Sequence, residues 1–220
     1  MTAYPNDPHA NTEVLHAGAP LDQATLAVVL LHGRGASAED ILGLASAFDL
    51  PGVAYVAPQA AGHTWYPLSF LSPREQNQPY LSSALARIDA VVRSLEQGGH
   101  PRNRIVIAGF SQGACLTTEY VASHPARYAG MIAFTGGLIG SPNSLPNPSA
   151  FAGTELAGTP ALLLSGDPDP HVPWQRVEDS ASILRAMGAA VTTRRYPGRP
   201  HTITSEEIGL ARSLLADAQQ

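Results

Sequence analysis

Short apolar runs recur along the chain at residues 26–31, 53–57, 104–108, 130–134, 160–165 and 190–196. Most lack strict alternation of polar and apolar positions, which is the signature of strands covered on both faces in a parallel sheet. The segments between them carry helical marks. Residues 37–48 open with Ser37 as a cap and Glu39 and Asp40 in the first turn, then place Ile41, Leu44, Ala45 and Phe48 at spacings of three and four. Residues 80–96 put Leu81, Leu85, Ile88, Val92 and Leu95 on one stripe and stop at Gly98 and Gly99. Helices are also predicted at 112–124, 173–187 and 204–218, the last capped by Thr204 or Ser205 ahead of Glu206 and Glu207. Strand and helix therefore alternate. That order predicts an α/β fold: a doubly wound, mostly parallel sheet with right-handed crossovers, flanked by helices, whose site lies at the carboxyl ends of the strands. A further edge strand is expected within 13–18.

Composition narrows the class. A chain of 220 residues without repeats or a long linker is read as one domain spanning 1–220, with about 70% of its unfolded surface buried. The Gly-, Ser-, Asn- and Pro-rich stretch 136–160 reads as a long loop. The net charge is −5 and the Lys and Arg residues are scattered, so neither nucleic acid nor an anionic lipid surface is expected as a partner. A small molecule is. Cys115 is the single cysteine, which excludes an internal disulfide and any Cys-based zinc site; a packing role is expected for it. The eight histidines contain no His-x-x-x-His pair, so no metal is expected either. The amino terminus shows no basic segment followed by an apolar one, and no apolar run approaches the ~18 residues that span a bilayer. A cytoplasmic protein without stable membrane insertion is the expectation. Its assembly, monomer or homodimer, is left open.

The chemistry enters at "RIVIAGFSQGACL". An apolar strand runs into Gly109-Phe110-Ser111-Gln112-Gly113, and a helix follows. This is the Gly-x-Ser-x-Gly nucleophile elbow in its strand-turn-helix setting. A nucleophile on so sharp a turn leaves no room for side chains two positions before and after it, and the helix N-terminus favours negative charge developing there.

A serine hydroxyl is a weak nucleophile until a base takes its proton, so an acid and a histidine are required downstream. "LLLSGDPDPHVP" offers Asp167 and Asp169 after a strand, and "RRYPGRPHTI" offers His201 before the last helix. The order Ser, Asp, His is that of α/β hydrolases. Asp169 is the expected acid because it lies farther from the strand end, while Asp167 is placed to cap the turn. The remaining histidines are read mostly as surface or helix-capping residues, with His171 the only competitor for the base. An oxyanion hole is also needed. Its donors are expected to be the backbone amides of Gln112 and of Arg34, the latter in the Gly-rich turn of "VVLLHGRGAS", where His32 is read as turn-shaping.

Taken together, "LLHGRGAS", "APQAAGHTWYPLSF", "GFSQGA", "GDPDPHVP" and "PHT" resemble the phospholipase/carboxylesterase family of α/β hydrolases, which includes acyl-protein thioesterases and small bacterial esterases. The resemblance runs from about Leu26 to His201. It implies Ser111 as nucleophile, Asp169 as acid, His201 as base and the Arg34 and Gln112 amides as oxyanion donors, with no cofactor. Two departures stand out. Arg34 occupies a position that is usually apolar, which bears on long-chain acyl specificity, and "GRPHT" replaces the Gly-x-Gly-His of many relatives. The loop "HTWYPLSFLSPREQNQPY" is expected to wall the substrate pocket through Trp65, Tyr66, Phe70 and Leu71. No lid domain is expected, although 136–158 is long enough to overhang the site. The expected activity is hydrolysis of short- to medium-chain carboxylic esters. An acyl thioesterase or lysophospholipase would share the same residues, and a non-catalytic ligand-binding relative would keep the fold and pocket.

Overall fold

A computed structural model describes residues 7–220. The apolar runs form seven strands in one sheet: β1 (Val14–Gly18), β2 (Leu26–Leu31), β3 (Val53–Pro58), β4 (Ile105–Phe110), β5 (Gly130–Phe134), β6 (Pro160–Asp167) and β7 (Ala190–Pro197), in the order β1-β3-β2-β4-β5-β6-β7. β1 is antiparallel to β3, and every other pairing is parallel. The helices are α1 (Ala38–Phe48), α2 (Tyr80–Gln97), α3 (Gln112–Ser123), α4 (Trp174–Ala186) and α5 (Ser205–Ala218). This is the α/β-hydrolase fold.

The sheet divides the core in two, which explains the unbroken apolar strands. In β2, Ala27, Val29 and Leu31 face the side covered by α2, α3 and α4, while Leu26, Val28 and Leu30 face α1 and α5. In β4, Ile105 and Ile107 take the first side and Val106 and Ala108 the second. Both faces are buried, so neither admits a polar residue. The helices begin where their caps predict. The Ser37 hydroxyl accepts from the Asp40 amide and the Asp40 carboxylate accepts from the Ser37 amide; Thr204, rather than Ser205, makes the same reciprocal box with Glu207.

Three strand ends reach farther than the apolar runs suggest. β4 continues through Gly109 and Phe110 because Phe110 pairs with Phe134 of β5, and the Ser111 amide then donates to the Phe134 carbonyl at 2.9 Å. β6 and β7 extend together, with Gly166 opposite Tyr196 and Asp167 opposite Pro197. The carboxyl ends of β2, β4, β6 and β7 thus open onto one rim. The stretch 136–158 carries only two short 3-10 turns, Pro142–Ser144 and Pro148–Ala150. Among the described residues no helix is long and apolar enough to cross a membrane.

Candidate active site

Ser111 sits between β4 and α3 with φ 55° and ψ −116°, a left-handed backbone that an L-residue adopts only when its surroundings enforce it. The enforcement comes from close packing at both glycines. A Cβ on Gly109 would stand 2.5 Å from the Gly113 backbone, and one on Gly113 would stand 2.0 Å from the Leu31 carbonyl oxygen. Neither position admits a side chain, so the strand and helix close tightly enough to thrust Ser111 onto the rim.

His201, in the turn between β7 and α5, reaches Ser111: its Nε2 lies 2.8 Å from the serine Oγ. Its Nδ1 donates to Asp169 Oδ2 at 2.8 Å. The other Asp169 oxygen accepts from the amides of His171 and Val172, both at 2.9 Å. Burial pushes the Asp169 carboxyl up, but the His201 and backbone hydrogen bonds outweigh it and hold the group below the usual carboxylate range. The resulting carboxylate can only accept, so Nδ1 carries the proton and, in the neutral ring, Nε2 faces Ser111 as an acceptor. Asp167 lies elsewhere. It forms a partly exposed ion pair with Arg195 across the β6–β7 ladder and makes no contact with His201.

Arg34 and Gln112 flank the serine, as the two turns require, and both line the same cleft of about 680 Å³. The Gln112 amide is the first of α3, one of the donors that have no partner within a helix. Its side chain makes two contacts that no local pattern marks. Oε1 accepts from the Trp65 amide at 2.9 Å and Nε2 donates to the Tyr66 carbonyl at 2.8 Å, which fastens the pocket loop to the elbow. The Arg34 guanidinium works on the same loop, donating to the carbonyls of Pro67 at 2.8 Å and Leu68 at 2.7 Å.

Of the four expected pocket residues, Tyr66, Phe70 and Leu71 line the cleft. Trp65 does not. It is fully buried beneath the turn at 32–35, where its indole N–H donates to the His32 carbonyl at 2.9 Å and its ring packs on His9 and His32. An indole needs one acceptor when buried, and the turn's own backbone supplies it. The 136–158 stretch also contributes no residue to the cleft. It supports the wall from behind, with the Gly140 amide donating to the Phe70 carbonyl at 2.8 Å.

His9 and His100 are buried, not on the surface, and His32, expected to shape its turn, is buried behind it. The His32 Nε2 accepts from the Ala60 amide at 3.0 Å, so its Nδ1 is the donor to the Gly33 carbonyl at 2.8 Å. His9 takes the opposite tautomer, Nδ1 accepting from the Ala61 amide and Nε2 donating to the Trp65 carbonyl, each at 3.0 Å. Burial pushes both rings below the usual imidazole range. His171 is exposed and edge-on to His201, with ring centroids 4.9 Å apart. Cys115 forms part of the cleft floor, where burial raises its thiol to about 12. Such a thiol is inert as a nucleophile at neutral pH. Among the described residues no cluster of His, Cys, Asp and Glu is placed to hold a metal.

An α/β-hydrolase sheet, a serine on a strained elbow and a histidine bridging it to a carboxylate define the class of serine hydrolases. Within that class the chain belongs to the phospholipase/carboxylesterase family, whose model matches residues 12–218. It is similar to the phospholipase/carboxylesterase of Dyadobacter fermentans, whose crystal structure superposes with a TM-score of 0.87 at 46% identity over 94% of this chain and 97% of that one. Esterase PE8 superposes with a TM-score of 0.77 at 26% identity, covering 94% and 99%. The Acyl-protein thioesterase 1 of Cryptococcus neoformans is 25% identical over 90% of this chain and 94% of its own length. A probable carboxylesterase, SOBER1-like, of Arabidopsis thaliana is 27% identical over 70% of this chain, an alignment that spans 56% of that relative.

Proposed function

We propose that the protein is a carboxylesterase that hydrolyses short- to medium-chain esters through an acyl-enzyme on Ser111. The observation that carries this reading is the continuous link from Ser111 Oγ through His201 to Asp169, 2.8 Å at each step, at the edge of the cleft. His201 takes the Ser111 proton as the hydroxyl attacks the ester carbonyl; Asp169 holds the ring in the required tautomer; the amides of Arg34 and Gln112 receive the oxyanion. The alcohol leaves with the proton from His201. Water then repeats the attack on the acyl-enzyme and returns Ser111 to its free state.

Chain length follows from the cleft. Tyr66, Phe70 and Leu71 offer an apolar wall, and the Pro67–Leu68 segment pinned by Arg34 limits its extent. That arrangement favours a modest acyl group over a long lipid tail. The likeness to a named acyl-protein thioesterase supports thioester hydrolysis as the second reading, since a thioester carbonyl meets the same nucleophile and the same donors. One domain over the whole chain and a location in the cytoplasm belong to the same proposal.

The deciding experiment is hydrolysis of p-nitrophenyl esters against matched thioesters, by wild type and Ser111→Ala. A loss of about 10³-fold or more in Ser111→Ala supports the nucleophile. Activity surviving that change refutes it, and the ratio of ester to thioester rates separates the two substrate classes.

A further inference from the structure

Arg199 lies two positions ahead of His201, yet its side chain is 4% exposed and faces Glu207, which is fully buried on the first turn of α5, with Nη2 3.5 Å from Oε1. A buried guanidinium is costly unless it is paired and hydrogen-bonded, so its partners show what it does. Its Nη1 donates to the Pro200 carbonyl at 3.0 Å and to the Thr202 carbonyl, the acceptors on either side of His201. Its Nη2 donates to the Thr135 hydroxyl at 2.6 Å.

These contacts matter because little else holds that segment. Among the described residues, no backbone amide from residue 200 to 203 donates to a backbone carbonyl; Pro200 has no N–H, and the next amide with a partner is Thr204, which donates to Glu207. Thr135, at the other end of the tether, follows β5 directly. Its amide donates to the Leu164 carbonyl at 2.7 Å, and its neighbour Phe134 accepts from the Ser111 amide. Arg199 thus joins the histidine's turn to the strand that also holds the nucleophile's backbone.

We infer that Arg199 is a positioning residue: its forked guanidinium fixes the two peptides flanking His201 against Thr135 and Glu207, and so sets the approach of Nε2 to Ser111. The inference rests on the proposed triad. Lysine at 199 keeps a charge opposite Glu207 but lacks the planar fork that spans several acceptors at once. A small misplacement of a catalytic group costs up to about 10²-fold in rate.

The test compares wild type, R199K and the double variant R199M/E207Q, which leaves no unpaired buried charge. Kinetics on p-nitrophenyl butyrate are normalised to the serine titrated by a fluorophosphonate, and the low-field proton resonance of His201 Nδ1–H is recorded for each. The expected result for R199K is a kcat lowered about tenfold with KM within about twofold of wild type, and a broadened or lost low-field proton; the double variant loses about 10²-fold. A general loosening of the fold would lower the titratable serine and leave kcat per titrated site unchanged. An R199K protein with wild-type kcat per site and an intact low-field proton overturns the inference, and if R199K does not fold, the same outcome in R199M/E207Q overturns it. A wild-type protein that the fluorophosphonate does not label at Ser111 refutes the triad itself, before any Arg199 variant is compared.

Discussion

The His32 ring donates from Nδ1 to the carbonyl of its own neighbour Gly33 at 2.8 Å, and that carbonyl also accepts from the Ala36 amide at 3.2 Å. The Gly33–Arg34 peptide is trans, so its N–H points away from the carbonyl that these donors hold. A side chain buried behind the turn therefore sets the direction of the Arg34 amide. His32→Phe keeps the aromatic volume and removes the donor. The expected outcome is a fall of about tenfold or more in kcat, matched by weaker binding of a boronic acid transition-state analogue, with KM unchanged. Equal loss of substrate and analogue binding would assign His32 to packing alone.

The two aspartates of the "GDPDP" turn separate cleanly in the structure. Asp169→Asn removes the group that fixes the His201 tautomer and is expected to cost about 10³-fold or more in kcat/KM. Asp167→Asn breaks a partly exposed pair with Arg195 and is expected to leave kcat/KM within about twofold. Steady-state kinetics on both variants check this, and the reverse ranking would move the acid to Asp167.

Arg34→Leu tests the pocket wall. The guanidinium ties down the Pro67 and Leu68 carbonyls, so its loss frees that segment while leaving the backbone amide in place. The expected outcome is a severalfold rise in the kcat/KM ratio of p-nitrophenyl octanoate to butyrate. An unchanged ratio would show that the wall is set by Tyr66, Phe70 and Leu71.

Acid lability follows from His9 and His32. Burial places both imidazoles below the ~6.5 of an unfolded chain, so between that value and their folded values the unfolded state binds more protons. Their contribution is fully present above about pH 6.5 and is lost as pH falls through the folded values. Asp169, held below the usual carboxylate range, loses its own contribution only at more acid pH, below about 3.9. Thermal unfolding followed from pH 8 to 5 is expected to show Tm falling from about pH 6.5 downward, and less steeply in His9→Gln. A Tm independent of pH over that range would contradict the reading of both rings as buried and held neutral in the folded state.

Much of this architecture is legible in the chain because it obeys local rules. Buried strands must be apolar on both faces, Ser37 and Thr204 announce helix starts by their own hydrogen bonds, and the glycines around Ser111 are forced by backbone contact. The supporting shell is not local. Trp65 reads as a pocket aromatic until its indole finds the His32 carbonyl, and His9 reads as a surface residue until Ala61 and Trp65 close around it. Gln112 is visible as part of the elbow, but the reach of its side chain to a loop 46 and 47 positions away is a tertiary fact. The unusual "GRPHT" draws notice to Pro200, but nothing local marks Arg199 beside it, and only the fold shows that its partner is Glu207.

The most direct measurement is covalent labelling. Incubation with a fluorophosphonate, followed by intact mass and peptide mapping, is predicted to give one adduct per chain, located on Ser111, with labelling abolished in Ser111→Ala and strongly slowed in His201→Ala. Labelling at another residue, or at Ser111 with an undiminished rate when His201 is removed, would contradict the account.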